Sequence, residues 1–380
     1  MSEEGTTIIS QFLREAGRRP MQIERFNRAS MSIQELHARI NDVSADIDRQ
    51  KEVLKKLEHS KSALQRQLNA IRDPVSRLPL EISSEIFIQC LPSTSNPQPG
   101  APDIPMLFLN ICNAWTDIAL STPALWEAIQ IQFPRATGFS QLLATWLSRA
   151  RNRLLSLSLH GTFDEDDATI VRGYAEKLRS LEIYSDDADC LDLLEGMSCP
   201  SLETLNISLL HNAYGEITSY SLYQTLNMLR VAPNLVECTF DNLSTFADSR
   251  TGHLVLPTLR SLAFGRYSND EILKFLTLPA LEILSLAMVN VSPKDVASFL
   301  KRSSPPLQKL IMARQYTYRP LDFTELDECL RLVPTLTHLE LSGPGDYPTL
   351  FASLADSPSL VPNLLSIQID HSGEAISHLL

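Results

Sequence analysis

The residue types that most often perform chemistry are scattered along this chain. Its eight histidines lie at positions 37, 59, 160, 211, 253, 338, 371 and 378, and its six cysteines lie at 90, 112, 190, 199, 238 and 329. No two cysteines form a CxxC pair, and no histidine pair has the spacing to cysteines that a zinc site needs. Phosphate-binding loops, GxSxG motifs and HExxH motifs are absent. The sequence therefore predicts no catalytic residue, no metal site, no cofactor and no enzyme activity.

One acidic run could suggest a calcium site. It is the sequence Asp164-Glu165-Asp166-Asp167, which lacks the glycine and the ligand spacing of a calcium loop. Carboxylates are also favoured in the first turn of a helix, because the helix dipole is positive there. The run therefore predicts the start of a helix.

Charge and hydropathy exclude several further classes of protein. The 380 residues carry a formal net charge of −12, and residues 74–380 hold 20 basic and 34 acidic side chains. Such an acidic surface repels phosphates, which argues against nucleic-acid binding. The sequence contains no stretch of about 18 consecutive apolar residues, which a membrane-spanning helix needs. The polar N-terminus also lacks the pattern of a secretory signal. Scattered cysteines are typical of reduced thiols, so the sequence predicts a cytoplasmic or nuclear protein.

A heptad pattern begins at Ile33 and ends before Pro74, which cannot continue a helix. One set of seam positions is Ile33, Ile40, Ile47, Leu54, Lys61 and Leu68, and the other is Leu36, Val43, Gln50, Leu57, Leu64 and Ile71. The pattern predicts a coiled-coil-like helix over residues 31–73, behind a disordered tail of residues 1–30. Its apolar stripe needs a partner, which could be a second copy through residues 33–71, another protein, or the chain's own folded part.

Leucine is concentrated in the C-terminal part of the chain, where 45 of the 61 leucines follow residue 153. From Leu154 a triplet recurs nine times: a leucine, an apolar residue three positions later, and another two positions after that. Successive triplets begin 24, 24, 33, 24, 22, 26, 29 and 28 residues apart. The intervening stretches have helical spacing. One strand and one helix in each such interval indicate degenerate leucine-rich repeats over residues 154–380, arranged as a solenoid with a parallel sheet inside.

The segment between the helix and the repeats combines several short apolar motifs. They are Leu78-Pro79, Glu81-Ile82, Ile86-Phe87, Ile111-Cys112-x-x-Trp115, Ile118-Ala119 and Leu125-Trp126. In this order they resemble an F-box, here residues 74–130 with a proline-rich insertion at 92–105, followed by a connecting helical region at 131–153. The whole arrangement resembles the F-box family expanded in mushroom-forming fungi. The expected fold class is thus α/β: a long helix, a small all-α F-box and a leucine-rich-repeat solenoid.

The resemblance implies the substrate-recognition subunit of a Skp–cullin–F-box ubiquitin ligase. The F-box would dock on a Skp-type adaptor and through it on the cullin scaffold, while the repeats would bind an unknown protein substrate. The residues expected to contact the adaptor are Leu78, Pro79, Ile82, Ile86, Phe87, Cys112, Trp115, Leu125 and Trp126. For Phe87, Cys112 and Trp115, a role only in the F-box core is an equally good interpretation.

Substrate contacts in repeat solenoids come from loops and strand ends. Two stretches after predicted strands combine arginine with tyrosine, the residue types favoured at interface hot spots. The candidate substrate-binding residues are Arg266, Tyr267, Arg314, Tyr316, Tyr318 and Arg319. Solvated loop residues without a binding role are the alternative interpretation of these six positions. Two other functions remain open: a protein-interaction scaffold without any ligase, which uses the heptad helix and the repeats, and an enzyme or enzyme regulator built on the solenoid.

Overall fold

The computed structural model describes residues 33–92, 95–100, 102–133, 138–185, 196–209, 219–241, 244–246, 252–265, 268, 270–288, 291–313, 326–343, 347–357 and 359–370. Within it the chain divides into two compact units, residues 1–65 and 66–380. The architecture is mixed α/β, with a long N-terminal helix and a large, open parallel sheet. No helix in the described part of the chain is long and apolar enough to cross a membrane.

The heptad region forms one uninterrupted helix, α1 (Ile33–Arg72). It ends where the sequence predicts, because Pro74 has no N–H to continue the hydrogen-bond ladder. Most of its seam side chains are well exposed: Ile40 is 59% exposed, Leu57 63% and Leu64 67%. The prediction of a long helix is confirmed.

The F-box-like segment consists of short helical elements. A 3₁₀ turn (Val75–Arg77) leads into α2 (Leu80–Gln89), and a second turn (Met106–Asn110) leads into α3 (Asn113–Ser121). A third turn (Pro123–Trp126) follows, and α4 (Phe139–Ala150) occupies the predicted connecting region. Pro79 lies at the N-cap of α2, where the missing N–H costs nothing.

Ten strands form the main sheet, in which every pairing is parallel and the spatial order follows the chain order. The strands of this sheet are β1 (Ala128–Gln132), β2 (Leu155–His160), β3 (Leu178–Ser185), β4 (Thr204–Leu209), β6 (Glu237–Asp241), β9 (Ser261–Phe264), β11 (Ile283–Leu286), β12 (Lys309–Ala313), β13 (His338–Ser342) and β14 (Ser366–Asp370). Each of the nine leucine triplets supplies one strand, β2 to β14. The central residues of the triplets lie in register from strand to strand, from Leu157 to Ile367.

The core is the leucine face of this sheet, covered by the segments between the strands. The covering helices are α5 (Glu165–Arg172), α6 (Leu222–Arg230), α7 (Pro293–Ser303), α8 (Leu326–Arg331) and α9 (Tyr347–Asp356). Helix α5 begins at the acidic run as predicted, since the Asp164 side chain accepts a hydrogen bond from the Asp167 amide. Helix α7 has a complete capping box between Ser292 and Asp295.

Two features of the sheet region differ from the sequence prediction. Strand β1 precedes the first triplet and crosses the boundary predicted between the F-box and the connecting helical region. In addition, two pairs of short parallel strands form outside the ten-stranded sheet. These are β5 (Ser219–Ser221) with β7 (Ser244–Phe246), and β8 (Leu254–Val255) with β10 (Leu276–Thr277). The triplet pattern did not reveal either feature, because β1 lacks the leading leucine of a triplet and strands of two or three residues are too short to show alternation.

Candidate functional site

The F-box-like segment is built around a small aromatic cluster. The rings of Phe87 and Phe108 stack with centroids 4.1 Å apart, and Trp115 lies 4.9 Å from Phe87. This cluster joins α2, the 3₁₀ turn at 106–110 and α3. Aromatic contacts of this kind bury a large area in a small volume, which a segment this short needs for a defined shape.

Asp73 connects the end of α1 to this cluster. Its carboxylate accepts a 2.6 Å hydrogen bond from Trp115 Nε1 and a 2.9 Å hydrogen bond from the Val75 amide. The side chains of Arg66 and Asn69, from the last turns of α1, donate to Asn110 Oδ1 and to the Ile111 carbonyl oxygen. The last turns of the helix are therefore held against the F-box-like segment by polar contacts.

A second cluster lies where this segment meets the sheet. Trp126 packs edge-to-face on Trp146 with centroids 4.8 Å apart and donates Nε1 to the Ala119 carbonyl oxygen at 2.9 Å. The guanidinium of Arg149 lies 4.4 Å from the centre of the Trp126 ring, and burial lowers the pKa of this arginine. Both tryptophans are buried. They therefore bind α4 to the F-box-like segment.

The residues expected to contact an adaptor separate into two groups. Leu78, Ile82 and Ile86 are 41%, 52% and 41% exposed, and Pro79 is exposed beside them. We call these four residues the aliphatic row. In contrast, Phe87, Cys112, Leu125 and Trp126 are buried, and Trp115 is partly buried against Asp73. The buried residues have no surface to offer a partner in this conformation.

Polar side chains lie beside the aliphatic row, as they do around protein-docking surfaces. Glu81, Glu85 and Gln89 are exposed on the same helix, so that polar side chains lie beside the apolar ones. Exposed apolar surface bordered by polar residues marks interaction sites on soluble proteins. Three further leucines of the segment are exposed although the sequence motifs did not include them: Leu80, Leu107 and Leu120. The spacing of apolar residues along a helix does not show which of them are buried by contacts with the rest of the fold.

The proline-rich insertion is partly attached to the sheet. The Pro97 carbonyl oxygen accepts a 2.8 Å hydrogen bond from the Gln130 amide in β1, and Asn96 donates to Ser158 Oγ in β2. Ten described residues of this region, among them Cys90, Asn96, Asp103 and Ile104, line an open groove with a volume of about 450 Å³. The insertion is therefore held against strands β1 and β2 by hydrogen bonds at Asn96 and Pro97.

Polar side chains occupy the sheet positions between the leucines. Ser158, Glu182 and Asn206 lie in register on adjacent strands, and Ser158 donates to the Glu182 carboxylate. Asn206 donates to the Tyr184 hydroxyl at 3.1 Å, and His160 lies 4.5 Å from the Tyr184 ring. We call these five residues the polar strip. In the sequence they are the residues between or directly after the last two apolar positions of a triplet.

Burial and nearby carboxylates shift the pKa values of Tyr184 and His160 in the polar strip. Burial raises the pKa of Tyr184, and the carboxylates of Glu182 and Asp241 raise it further. Burial lowers the pKa of His160, while Glu182 opposes that change. Nearby carboxylates stabilise positive charge, so the strip suits a partner that presents a cationic side chain. The six arginines and tyrosines predicted to bind substrate lie outside the described residues.

No group of three or more His, Cys, Asp or Glu side chains in the described part of the chain could hold a metal ion. Neither a model of a known protein family nor a curated protein matches the chain.

The cysteine environments predict selective alkylation. Cys90 is exposed, whereas Cys199 and Cys238 are buried. Burial raises the pKa of Cys199 to about 11 and raises that of Cys238 further, because the thiolate is poorly solvated there. At pH 8, about 0.1% of a thiol with a pKa near 11 is reactive thiolate, against about a quarter of an ordinary exposed thiol.

We therefore expect iodoacetamide to modify Cys90 at least about 100-fold faster than Cys199 or Cys238 in the folded protein at pH 8. Peptide mass spectrometry of timed samples would measure the three rates. Alkylation in guanidinium chloride is the control, in which the rates should become similar. Reaction of Cys199 or Cys238 within tenfold of the Cys90 rate in the folded protein would contradict this assignment.

Proposed function

We propose that the protein is the substrate-recognition subunit of a Skp–cullin–F-box ubiquitin ligase. The observation that carries the proposal is the aliphatic row, in which Leu78, Ile82 and Ile86 are exposed together with Pro79 on a segment whose aromatic core is largely buried. Large apolar side chains that bind no partner are usually buried in the core, as Phe87 is here. The row lies at Leu78-Pro79 and Ile82, the positions through which the F-box resemblance implies adaptor contact.

The finer architecture of the sheet is also a proposal. We propose that residues 154–370 form a leucine-rich-repeat solenoid. Support comes from nine triplets that supply nine sequential parallel strands, with helices or short strands between most of them. Such a sheet offers a broad face for a protein substrate. The polar strip lies on that face and favours a basic segment of the target through Glu182 and the Tyr184 ring.

In this proposal the subunit performs no bond chemistry. It holds the adaptor at one site and the target at another, and thereby raises the effective concentration of the target beside the ubiquitin-charged enzyme. The two sites lie on different elements, α2 for the adaptor and β2 to β4 for the target. Substitutions should therefore separate the two binding activities.

The test is co-purification of the full chain with a Skp-type adaptor. We expect the double substitution Leu78→Ala/Pro79→Ala to lower the adaptor recovered at least about tenfold, because an apolar anchor at an interface centre is worth about 2 kcal/mol or more. The matched control is Val255→Ala/Leu365→Ala, which removes exposed apolar side chains of similar size outside the F-box-like segment. Adaptor binding by this control should remain at the wild-type level.

Thermal unfolding of both variants shows whether the loss is local. Because all four side chains are exposed, neither variant should change the midpoint by more than a few degrees. Absence of adaptor binding by the wild-type protein, or unchanged binding by Leu78→Ala/Pro79→Ala, would contradict the ligase proposal. Either result would favour the interaction scaffold that the heptad helix and the sheet also suit.

A further inference from the structure

Helix α1 carries an apolar seam that is exposed from Leu36 to Ile71. Leu36 is 47% exposed, Val43 57%, Leu54 56% and Ile71 75%, and the intervening aliphatic side chains of the seam lie within the same range. A helix of 40 residues is about 60 Å long, so the seam is a long, narrow apolar surface. Exposed apolar area of this extent on a soluble protein indicates an interaction surface.

The last turns of α1 show which side of the helix its own chain uses. In the heptad, Arg66 and Asn69 occupy positions outside the seam, and these two side chains bind Asn110 and the Ile111 carbonyl. The neighbouring seam residues Leu68 and Ile71 remain 51% and 75% exposed. Within residues 66–72 the polar side of the helix therefore meets the folded part, and the seam is left open to another molecule.

We propose that the seam binds a second copy of this chain in an antiparallel two-stranded coiled coil. The helix is electrically asymmetric: residues 33–52 hold five acidic and three basic side chains, while residues 53–72 hold one acidic and five basic side chains. The two halves thus carry net charges of −2 and +4. In a parallel pair, like halves lie side by side and repel each other. In an antiparallel pair, each acidic half lies along a basic half.

The polar seam positions agree with the antiparallel orientation. A two-fold axis near Glu52 places Ile33 opposite Ile71 of the second copy, and Ile47 opposite Leu57. In this alignment Lys61 lies opposite Val43 and Gln50 lies opposite Leu54, so no polar seam residue meets its own copy. A parallel pair in register would instead put two Lys61 ammonium groups together in the seam, which costs stability. Beside Val43 the Lys61 stem can pack while its ammonium group reaches water.

An antiparallel pair separates the C-terminal ends of the two α1 helices by about 60 Å. Each end continues into its own aliphatic row and sheet. The assembly would therefore present two separate docking surfaces and gain avidity for a partner that carries two binding sites. This inference stands whether the row binds a Skp-type adaptor or another protein, since the seam and the row involve different residues.

The first experiment measures the mass of the full chain by sedimentation equilibrium. We expect twice the 42.5 kDa of one chain at micromolar concentration, with a dissociation constant that rises about tenfold between 0.05 M and 0.5 M salt as the charges are screened. The variant Ile47→Asp/Leu54→Asp should raise the dissociation constant at least about 100-fold. The matched control is Ala45→Asp/His59→Asp, which places the same carboxylates outside the seam and should remain dimeric. A monomeric wild-type chain or a dimeric seam variant would overturn the proposal.

The second experiment determines the orientation. In a Cys90→Ser background, Val43→Cys protein is mixed with Lys61→Cys protein and oxidised. We expect disulfide-linked dimers only in the mixture, since Val43 and Lys61 lie opposite each other in the antiparallel pair. Dimers formed by Val43→Cys protein alone, at a rate above that of the Cys90→Ser parent, would show a parallel pair and overturn the proposed orientation. The seam variant should still co-purify with a Skp-type adaptor, because the seam and the aliphatic row involve different residues. Loss of dimerisation can therefore be distinguished from failure of the ligase proposal.

Discussion

Replacing Trp126 by alanine should lower the free energy of unfolding by about 3–5 kcal/mol. The side chain is completely buried and packs on Trp146, and its Nε1 hydrogen bond satisfies the Ala119 carbonyl. Truncation would leave a large cavity where α3, α4 and the 3₁₀ turn at 123–126 meet. It would also leave the carbonyl without this donor and remove the ring beneath the Arg149 guanidinium.

Urea unfolding followed by circular dichroism would measure this change. The control is Leu120→Ala in α3, where the side chain is 38% exposed and the expected loss is about 1 kcal/mol or less. A loss below about 1 kcal/mol for Trp126→Ala would show that the two tryptophans do not hold α4 to the F-box-like segment. Adaptor binding should decrease only where the folded population decreases, because Trp126 offers no exposed surface.

Trp126 also illustrates how far the sequence could predict the candidate site. The order of apolar motifs from Leu78 to Trp126 located the segment. It could not distinguish Ile86, which is exposed, from the adjacent Phe87, which is buried. Both are large and apolar, and helical spacing allows either to face a partner. The difference arises from tertiary contacts with Phe108 and Trp115, which no local pattern encodes.

The strands were more predictable than the segments that connect them. A triplet fixes both the strand and its buried side, since alternate residues of a strand face opposite sides of the sheet. Strand β1 has the same alternation at Ile129 and Ile131, both buried, but it lacks the leading leucine of a triplet. The polar strip was invisible for a different reason. Its hydrogen bonds join residues 22 to 24 positions apart, and this proximity exists only when the strands are in register.

Buried turns were equally hidden from local patterns. Met288 has a φ of 51°, which a residue with a side chain rarely adopts, and its amide donates a 2.7 Å hydrogen bond to the buried Asp270 carboxylate. An aspartate at this position would be assigned to a solvated turn from composition alone. The structure instead uses it to satisfy a backbone N–H that water cannot reach, 18 residues further along the chain.

The register of the leucines predicts a gradient of stability along the sheet. Leu310 in β12 is completely buried and lies between Leu284 and Leu339 on the neighbouring strands. Leu310→Ala should therefore lower the free energy of unfolding by about 2–5 kcal/mol, the usual range for removal of a buried leucine side chain. The cavity cannot close easily, because both flanking strands are held by their own parallel hydrogen bonds.

The equivalent position in the last strand of the sheet provides the comparison. Among the described strands, Ile367 in β14 pairs with Leu339 alone, and its side chain is partly exposed. Ile367→Ala removes the same number of carbon atoms as Leu310→Ala, yet it should cost only about 1–2 kcal/mol, because less apolar area leaves water when this residue folds. Urea denaturation of both variants would measure the difference. Equal losses would contradict the gradient, because they would mean that β14 is covered as completely as the centre of the sheet.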